Sequence, residues 1–269
     1  MKLALKSCLW MLLAFAGIPA IASADIVDNL QAHWALDGDA TSASGNHDGT
    51  YVGEGTETYA TGKFGQGIDL EADNDEYLSV TTAATDFGGA GGDLSFSAWF
   101  TTESFTHSWQ TVVATGENDN WRFSRQANAN NSALAGGGGD IRNAADISTG
   151  AAPADGFFHV AGVFEAGVGT TLYVNGVAFV DSTPVNPALT NTTSIFAIGN
   201  NPDRLERSWD GIIDDVAIWD AALSQDEVLS IWNGGEGASI ASLTAVPEPS
   251  SLLVLGMFGL VAAGRRRKK

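Results

Sequence analysis

Two neighbouring acids, Asp214 and Asp215, interrupt an otherwise apolar run from Gly211 to Trp219. Ile212, Ile213, Val216, Ile218 and Trp219 put apolar side chains on both faces, the pattern of a strand buried between layers. A carboxylate in such a strand must be hydrogen-bonded, paired or metal-bound. Hard cations such as calcium take carboxylate and carbonyl oxygens. Asp37, at the end of the first predicted strand, is a third candidate ligand. If the first and last strands are neighbours, Asp37 and one of the pair converge on a structural calcium. The alternative is that Asp214 and Asp215 accept backbone N–H groups or sit at a bulge.

Sugar binding would need different residues. Pyranose faces stack on exposed aromatic rings while polar groups read the hydroxyls. Trp109, Trp121 and Trp209 lie in or beside polar loops, near Asn118, Asn120, Arg122 and Arg204, and are the candidate ligand-binding residues. Packing beneath a loop is the alternative for each. Trp34, Trp99 and Trp219 fall within strand patterns and are expected to pack in or on the sheets. The four histidines, His33, His47, His107 and His159, are scattered. No Ser/His/Asp signature, HExxH or Gly-x-Ser-x-Gly motif accompanies them, so no catalytic residue is assigned.

The elements that must position these residues come between two processed ends. Lys2 and Lys6, an apolar core over 9–18 and the small-x-small sequence Ala22-Ser23-Ala24 make residues 1–24 a secretory signal peptide, with cleavage before Asp25. Cys8 precedes the apolar core, which argues against a lipoprotein. At the other end, Val246-Pro247-Glu248-Pro249 precedes a short apolar run over 251–263 and the basic tail Arg265-Arg266-Arg267-Lys268-Lys269. The run is short for a full span, and the basic cluster would stay cytoplasmic. This order of parts resembles the PEP-CTERM sorting signal of Gram-negative bacteria that make exopolysaccharide. The resemblance, over 247–269, implies an exosortase partner, transient residence of that transmembrane segment in the inner membrane, removal of the tail, and delivery to the cell surface or matrix.

The ends also hide the charge of what lies between them. The whole chain carries −19. Residues 25–249 hold all 32 acids but only six bases, Lys63, Arg122, Arg125, Arg142, Arg204 and Arg207, so their balance is 6 − 32 = −26. A polyanion such as nucleic acid, or an anionic membrane, is excluded as a general partner on these grounds. Divalent cations and neutral glycans are compatible. The only cysteine is Cys8, so the exported part has no disulfide and relies on core packing.

Between the ends, short strand patterns recur at intervals of about ten residues. They cover 30–36, 50–52, 63–70, 77–80, 94–101, 111–115, 121–124, 157–164, 171–180 and 195–198. In 94–101, Leu94, Phe96, Ala98 and Phe100 share one face. Asn175-Gly176 predicts a two-residue type I′ hairpin turn, because both positions need positive φ. Residues 128–150 read as a long loop with at most one short strand, and 237–246 as a linker. After the 211–219 strand, Ser224 and Glu227 form a capping box that starts one short helix, and Gly234 supplies its stop. The pattern predicts an all-β antiparallel jelly-roll sandwich of two sheets with one short C-terminal helix.

Five segments carry a family resemblance. They are Trp34-x-Leu36-Asp37-Gly38; the run 62–70 around Phe64 and Ile68; Leu94 to Trp99; Phe158 to Gly162 with Leu172 to Gly176; and Gly211 to Glu227. Together they resemble the laminin-G-like jelly roll of the concanavalin A-like lectin/glucanase superfamily, over a domain spanning 25–236. The resemblance implies two curved antiparallel sheets with the first and last strands side by side, and a structural calcium, which many relatives carry. Ser42 stands where relatives often have an acid. Glucanases of the superfamily use a strand with spaced carboxylates, and Glu71, Asp73, Asp75 and Glu76 match in type. Asp73-Asn74-Asp75 is turn chemistry, however, and no strand interior. The expected function is a non-enzymatic binding or scaffold protein, with polysaccharide or a surface glycan as partner. The alternatives are an adhesion domain contacting proteins and a divergent glycan hydrolase.

Overall fold

The computed structural model describes residues 24–88, 91–183 and 189–244. Of the stretch 1–24 read as a signal peptide, residues 1–23 lie outside the described residues, as does all of the sorting signal at 247–269. Among the described residues no helix is long and apolar enough to cross a membrane.

Fifteen strands are described. In chain order they are β1 (Leu30–Trp34), β2 (Gly49–Val52), β3 (Thr58–Thr61), β4 (Gln66–Leu70), β5 (Tyr77–Thr81), β6 (Leu94–Phe100), β7 (Thr111–Ala114) and β8 (Arg122–Arg125). Then follow β9 (Ser132–Gly136), β10 (Gly139–Ile141), β11 (Phe158–Glu165), β12 (Gly169–Val174), β13 (Val177–Asp181), β14 (Ile195–Ile198) and β15 (Gly211–Trp219). Three short helices complete the set, α1 (Ala24–Asp28), α2 (Gln225–Trp232) and α3 (Ile240–Thr244).

Every strand pairing is antiparallel, in two stacked sheets. The first runs β13-β12-β11-β6-β15-β4-β3, with β1 also on β15. The second runs β10-β9-β8-β7-β14-β5-β2. The main core fills the space between them. Phe96 stacks on Trp121 with ring centroids 4.9 Å apart, and Phe100 on Phe158 at 5.5 Å. Leu94, Phe96, Ala98 and Phe100 all face this core, as the alternation in β6 predicts. The opposite face of β6 is buried as well, because the helices cover it. Ile26, Ala161, Tyr173, Trp219, Val228, Ile231 and Ile240 form a second apolar cluster there.

The position of β15 explains its two acids. One edge pairs with β6. The other edge pairs with β4 over Gly211 to Ile213 and then with β1 over Val216 to Trp219. Asp214 and Asp215 sit where the partner changes, at a register shift, and Asp215 has φ +48°. An extra residue placed at such a bulge twists the strand, and aspartate is among the few residues that tolerate this φ.

The turn between β12 and β13 has Asn175 at φ +48° and Gly176 at +74°, as the type I′ reading requires. The capping box of α2 is formed too: Ser224 N–H donates to Glu227 at 2.8 Å, and Ser224 Oγ accepts from Glu227 N–H. The structure departs from expectation at three places. Residues 128–150 hold the β9–β10 hairpin, whose strands are rich in Ala and Gly and offer Ile141 as their one β-branched residue. β3 has strand-favouring Thr58, Tyr59 and Thr61, but it is an edge strand with no buried face, so no apolar alternation marks it. The stretch expected as a linker packs on the domain: Ile240 is fully buried, Ala238 N–H donates to Ile231 O at 2.9 Å, and α3 follows. One buried isoleucine and a backbone bond suffice to dock a segment whose small residues suggested none.

Candidate functional site

Asp37, Asp214 and Asp215 do not assemble a metal centre. Asp37 is exposed, and its Oδ1 accepts the Gln66 N–H at 2.7 Å. Asp214 is buried, and its Oδ2 accepts the Phe64 N–H at 2.8 Å. These two acids hold one and the same turn, 62–66. Asp215 faces elsewhere, to His33 Nε2 at 2.7 Å and the Ile240 N–H at 3.0 Å. Among the described residues no group of three or more His, Cys, Asp or Glu side chains could hold a metal ion. In this structure the three acids accept N–H donors, the other reading open to adjacent buried acids. Burial pushes the Asp214 carboxyl up to about 7, and the charge of Asp215 adds to the rise against the Phe64 N–H. On this geometry, added calcium is expected to leave the melting temperature unshifted; a rise of several degrees would mean that the carboxylates rearrange around an ion.

The three candidate tryptophans separate sharply. Trp121 and Trp209 are fully buried, so neither face is open to a sugar. Their indole N–H groups donate to Phe87 O at 2.8 Å and Thr101 O at 2.9 Å, which satisfies the polar end of each ring inside the core. Both are corrected from ligand-binding to packing residues. Trp121 stacks on Phe96 and Trp209 packs edge-on against Phe100, both within the main core.

Trp109 differs. It is partly exposed and sits at φ +61°, rare for a bulky residue. Its N–H donates to Ala127 O at 3.0 Å, which holds the backbone in this strained region. Three guanidinium groups surround the ring. Arg142 lies 5.6 Å from the ring centroid, Arg207 5.9 Å and Arg122 6.0 Å. They arrive from three places: Arg122 from β8, Arg142 just after β10, and Arg207 from the turn at Leu205–Arg207. Glu117 ties two of them, accepting from Arg207 at 2.5 Å and standing 3.5 Å from Arg122.

Glu117 also borders a cleft of about 460 Å³ at the same end of the second sheet. Asn118, Asn120, Thr192, Asp203 and Arg204 line it. Asn120 is held by Thr190, Thr192 and Asp203. A partly exposed indole beside a wide cleft of amides, hydroxyls and carboxylates has the chemistry of a sugar site, with one ring to stack on and many groups to read hydroxyls. The sequence pointed to Asn118, Asn120, Arg122 and Arg204. It missed Arg142 and Arg207, whose distance along the chain conceals their meeting at one ring.

The spaced carboxylates at 71–76 form no catalytic pair on a strand. Ala72–Asn74 is a 3-10 turn, and Asp75 follows at φ +53°. Glu76 is buried and accepts the Glu71 N–H at 2.9 Å, so it builds the turn.

Comparisons with known proteins agree with this architecture. A family model described as the concanavalin A-like lectin/glucanases superfamily matches residues 72–229, and one for the PEP-CTERM protein-sorting motif matches 245–268. No curated protein matches the sequence. Among solved structures, domain 4 of AbnA, a GH43 extracellular arabinanase from Geobacillus stearothermophilus in complex with arabinotriose, is similar. It shows 23% identity over 78% of this chain and 98% of that one, with a TM-score of 0.58. The binding domain of Paraclostridial Mosquitocidal Protein 1 aligns at 18% identity over 78% of this chain and 53% of that one, TM-score 0.59. The binding domain of botulinum neurotoxin DC, in complex with rat synaptotagmin II, aligns at 14% over 77% and 51%, TM-score 0.57. The chain spans about half the length of these two toxin structures. At these identities the likeness is one of fold.

Proposed function

Since the chain belongs to the concanavalin A-like lectin/glucanases superfamily and ends in a PEP-CTERM protein-sorting motif, we propose that it is an exported, surface- or matrix-sorted protein that binds polysaccharide without cleaving it. One observation carries this reading: of the three loop tryptophans only Trp109 keeps its ring open, and it stands in a strained backbone beside the 460 Å³ polar cleft. Strained residues gather at binding sites because the surrounding fold holds them ready. The related arabinanase domain, with its bound arabinotriose, supports a sugar at this fold. An exosortase would process the tail at the inner membrane.

The test is retention on a panel of immobilised polysaccharides. Trp109→Ala is expected to weaken retention by tenfold or more, the loss of a stacking aromatic, while the melting temperature moves by a few degrees at most. Unchanged retention would reject Trp109 as the binding residue. A second reading, adhesion through protein contacts, is favoured by the likeness to a neurotoxin binding domain in complex with synaptotagmin. It predicts that no polysaccharide is retained. Release of reducing ends from any retained polymer would turn the reading toward a hydrolase.

A further inference from the structure

The bases of the exported part are few, and they are not spread over it. Residues 25–249 carry 6 − 32 = −26, and of the six bases only Lys63 stands on the outer face of the first sheet, against Trp99. The five arginines gather at the other sheet. Arg122, Arg142 and Arg207 surround Trp109, Arg204 lines the adjoining cleft, and Arg125 lies over Phe105, 4.1 Å from its ring centroid. Chance placement in so acidic a domain would leave bases scattered among acids that could neutralise them.

The acids nearest the ring do not use up these donors. Glu117 meets one nitrogen of Arg207 and stands 3.5 Å from Arg122, beyond good hydrogen-bond reach. Asp140 pairs with Arg142, which is half exposed. The local balance of these five side chains is 3 − 2 = +1. A guanidinium has five N–H donors in a planar fork, so each arginine keeps donors to offer.

A second, independent sign lies on β8. Phe123 points into the core, so Arg122 and Ser124 share the outer face with the Trp109 ring. Ser124 Oγ is buried without a hydrogen-bond partner, and the buried Arg122 Nε faces only the Glu117 carboxylate, 3.5 Å away. Buried polar groups are nearly always paired. The Arg122 guanidinium beside the Trp109 ring thus keeps a donor that no acceptor in the fold satisfies at hydrogen-bond distance.

We propose that the Trp109 surface takes an anionic glycan, with a uronate carboxylate held by Arg122, Arg142 and Arg207 while the sugar ring lies against the indole. This rests on the sugar-binding reading and names its ligand class. The carboxylate accepts charge-assisted hydrogen bonds from a fork that matches its geometry. The overall charge of the domain repels a long polyanion at a distance, so recognition is confined to this patch and to the one or two residues of the glycan that touch it.

Calorimetry on the purified chain tests this with short probes, which limit long-range repulsion. The probes are trigalacturonate, trimannuronate and the carboxyl-reduced form of each. At least one uronate is expected to bind tenfold or more tightly than its reduced form, and in Arg142→Gln with Arg207→Gln that ratio is expected to fall toward one. Equal binding of uronate and reduced sugar overturns the anionic assignment and leaves the sugar-binding reading standing. Failure of all four probes to bind overturns the anionic assignment, and the sugar-binding reading then falls only if the polysaccharide panel is not retained either. If the double variant does not fold, the ratio measured on the unaltered chain decides alone.

Discussion

Replacing Asp215 by alanine is expected to cost about 4 kcal/mol of stability, because it breaks a buried carboxylate–imidazole hydrogen bond and strands both of its partners. Asp215 Oδ1 meets His33 Nε2 at 2.7 Å, with the residues only 2% and 4% exposed. Oδ2 accepts the Ile240 N–H at 3.0 Å. One carboxylate therefore joins β1, β15 and the segment entering α3, elements from the two ends of the domain. Alanine would leave a buried imidazole and a buried N–H unpaired, at roughly 1–3 kcal/mol each. It would also stand at φ +48°, which costs a residue other than glycine, asparagine or aspartate about 1 kcal/mol more. Asp215→Asn keeps one acceptor and tolerates the φ, so it should lose about half as much. Urea unfolding measures both. A loss below 1 kcal/mol for Asp215→Ala would show that this carboxylate does not hold the termini. Hydrogen exchange at the Ile240 amide should rise in the alanine variant even where global stability survives.

A second large effect concerns pH. His159 is fully buried between Trp99, with ring centroids 4.8 Å apart, and Ser97 Oγ, 2.9 Å from its Nε2. Burial pushes its imidazole down to about 3, and the nearby charge of Lys63 pushes the same way. Its unfolded value is about 6.5. The folded value is depressed, so the stability it carries is complete above 6.5 and is lost as pH falls from there toward 3. At pH 5 the loss is about 2 kcal/mol, at roughly 1.4 kcal/mol per unit.

Asp214, paired across from Trp99 on the neighbouring strand, works the other way. Its carboxyl stands at about 7 against an ordinary 3.8, so its stabilising protonated form is complete at low pH and is lost as pH rises through 7. The two therefore oppose each other between pH 7 and 5. Relative to the unaltered chain, His159→Gln is expected to gain about 2 kcal/mol on going from pH 7 to pH 5, and Asp214→Asn to lose about 2 kcal/mol over the same range. Denaturant unfolding at the two pH values reads this difference directly. Parallel pH profiles in all three proteins would sink the assignment.

Much of the fold was legible because local rules act locally. The alternation of Leu94, Phe96, Ala98 and Phe100, the Asn175-Gly176 turn and the Ser224–Glu227 capping box each depend on residues within a few positions of one another, and each is found as read. The β9–β10 hairpin and α3 were not legible, since Ala, Gly and Ser are poor strand formers and a five-residue helix is too short to show a period; both are held by what packs on them. The site was legible in part. Trp109 was among three equivalent loop tryptophans, and nothing in the sequence could separate it from Trp121 and Trp209, whose burial depends on the core rings that pack against them.

By itself the sequence determined the C-terminal sorting motif, the acidic balance, the antiparallel sandwich and the need of Asp214 and Asp215 for partners, all of which follow from motif order, composition, periodicity and the cost of burying charge. Only the tertiary structure decided who those partners are. Phe64, His33 and Ile240 lie 150, 182 and 25 residues away, and hydrogen bonds over such separations are set by strand order. The same holds for charge. A net balance of −26 suggested neutral ligands, but it is a sum, and sums carry no positions. The sheet brings Arg122, Arg142 and Arg207 to one indole, and a ligand meets that local field before it meets the total.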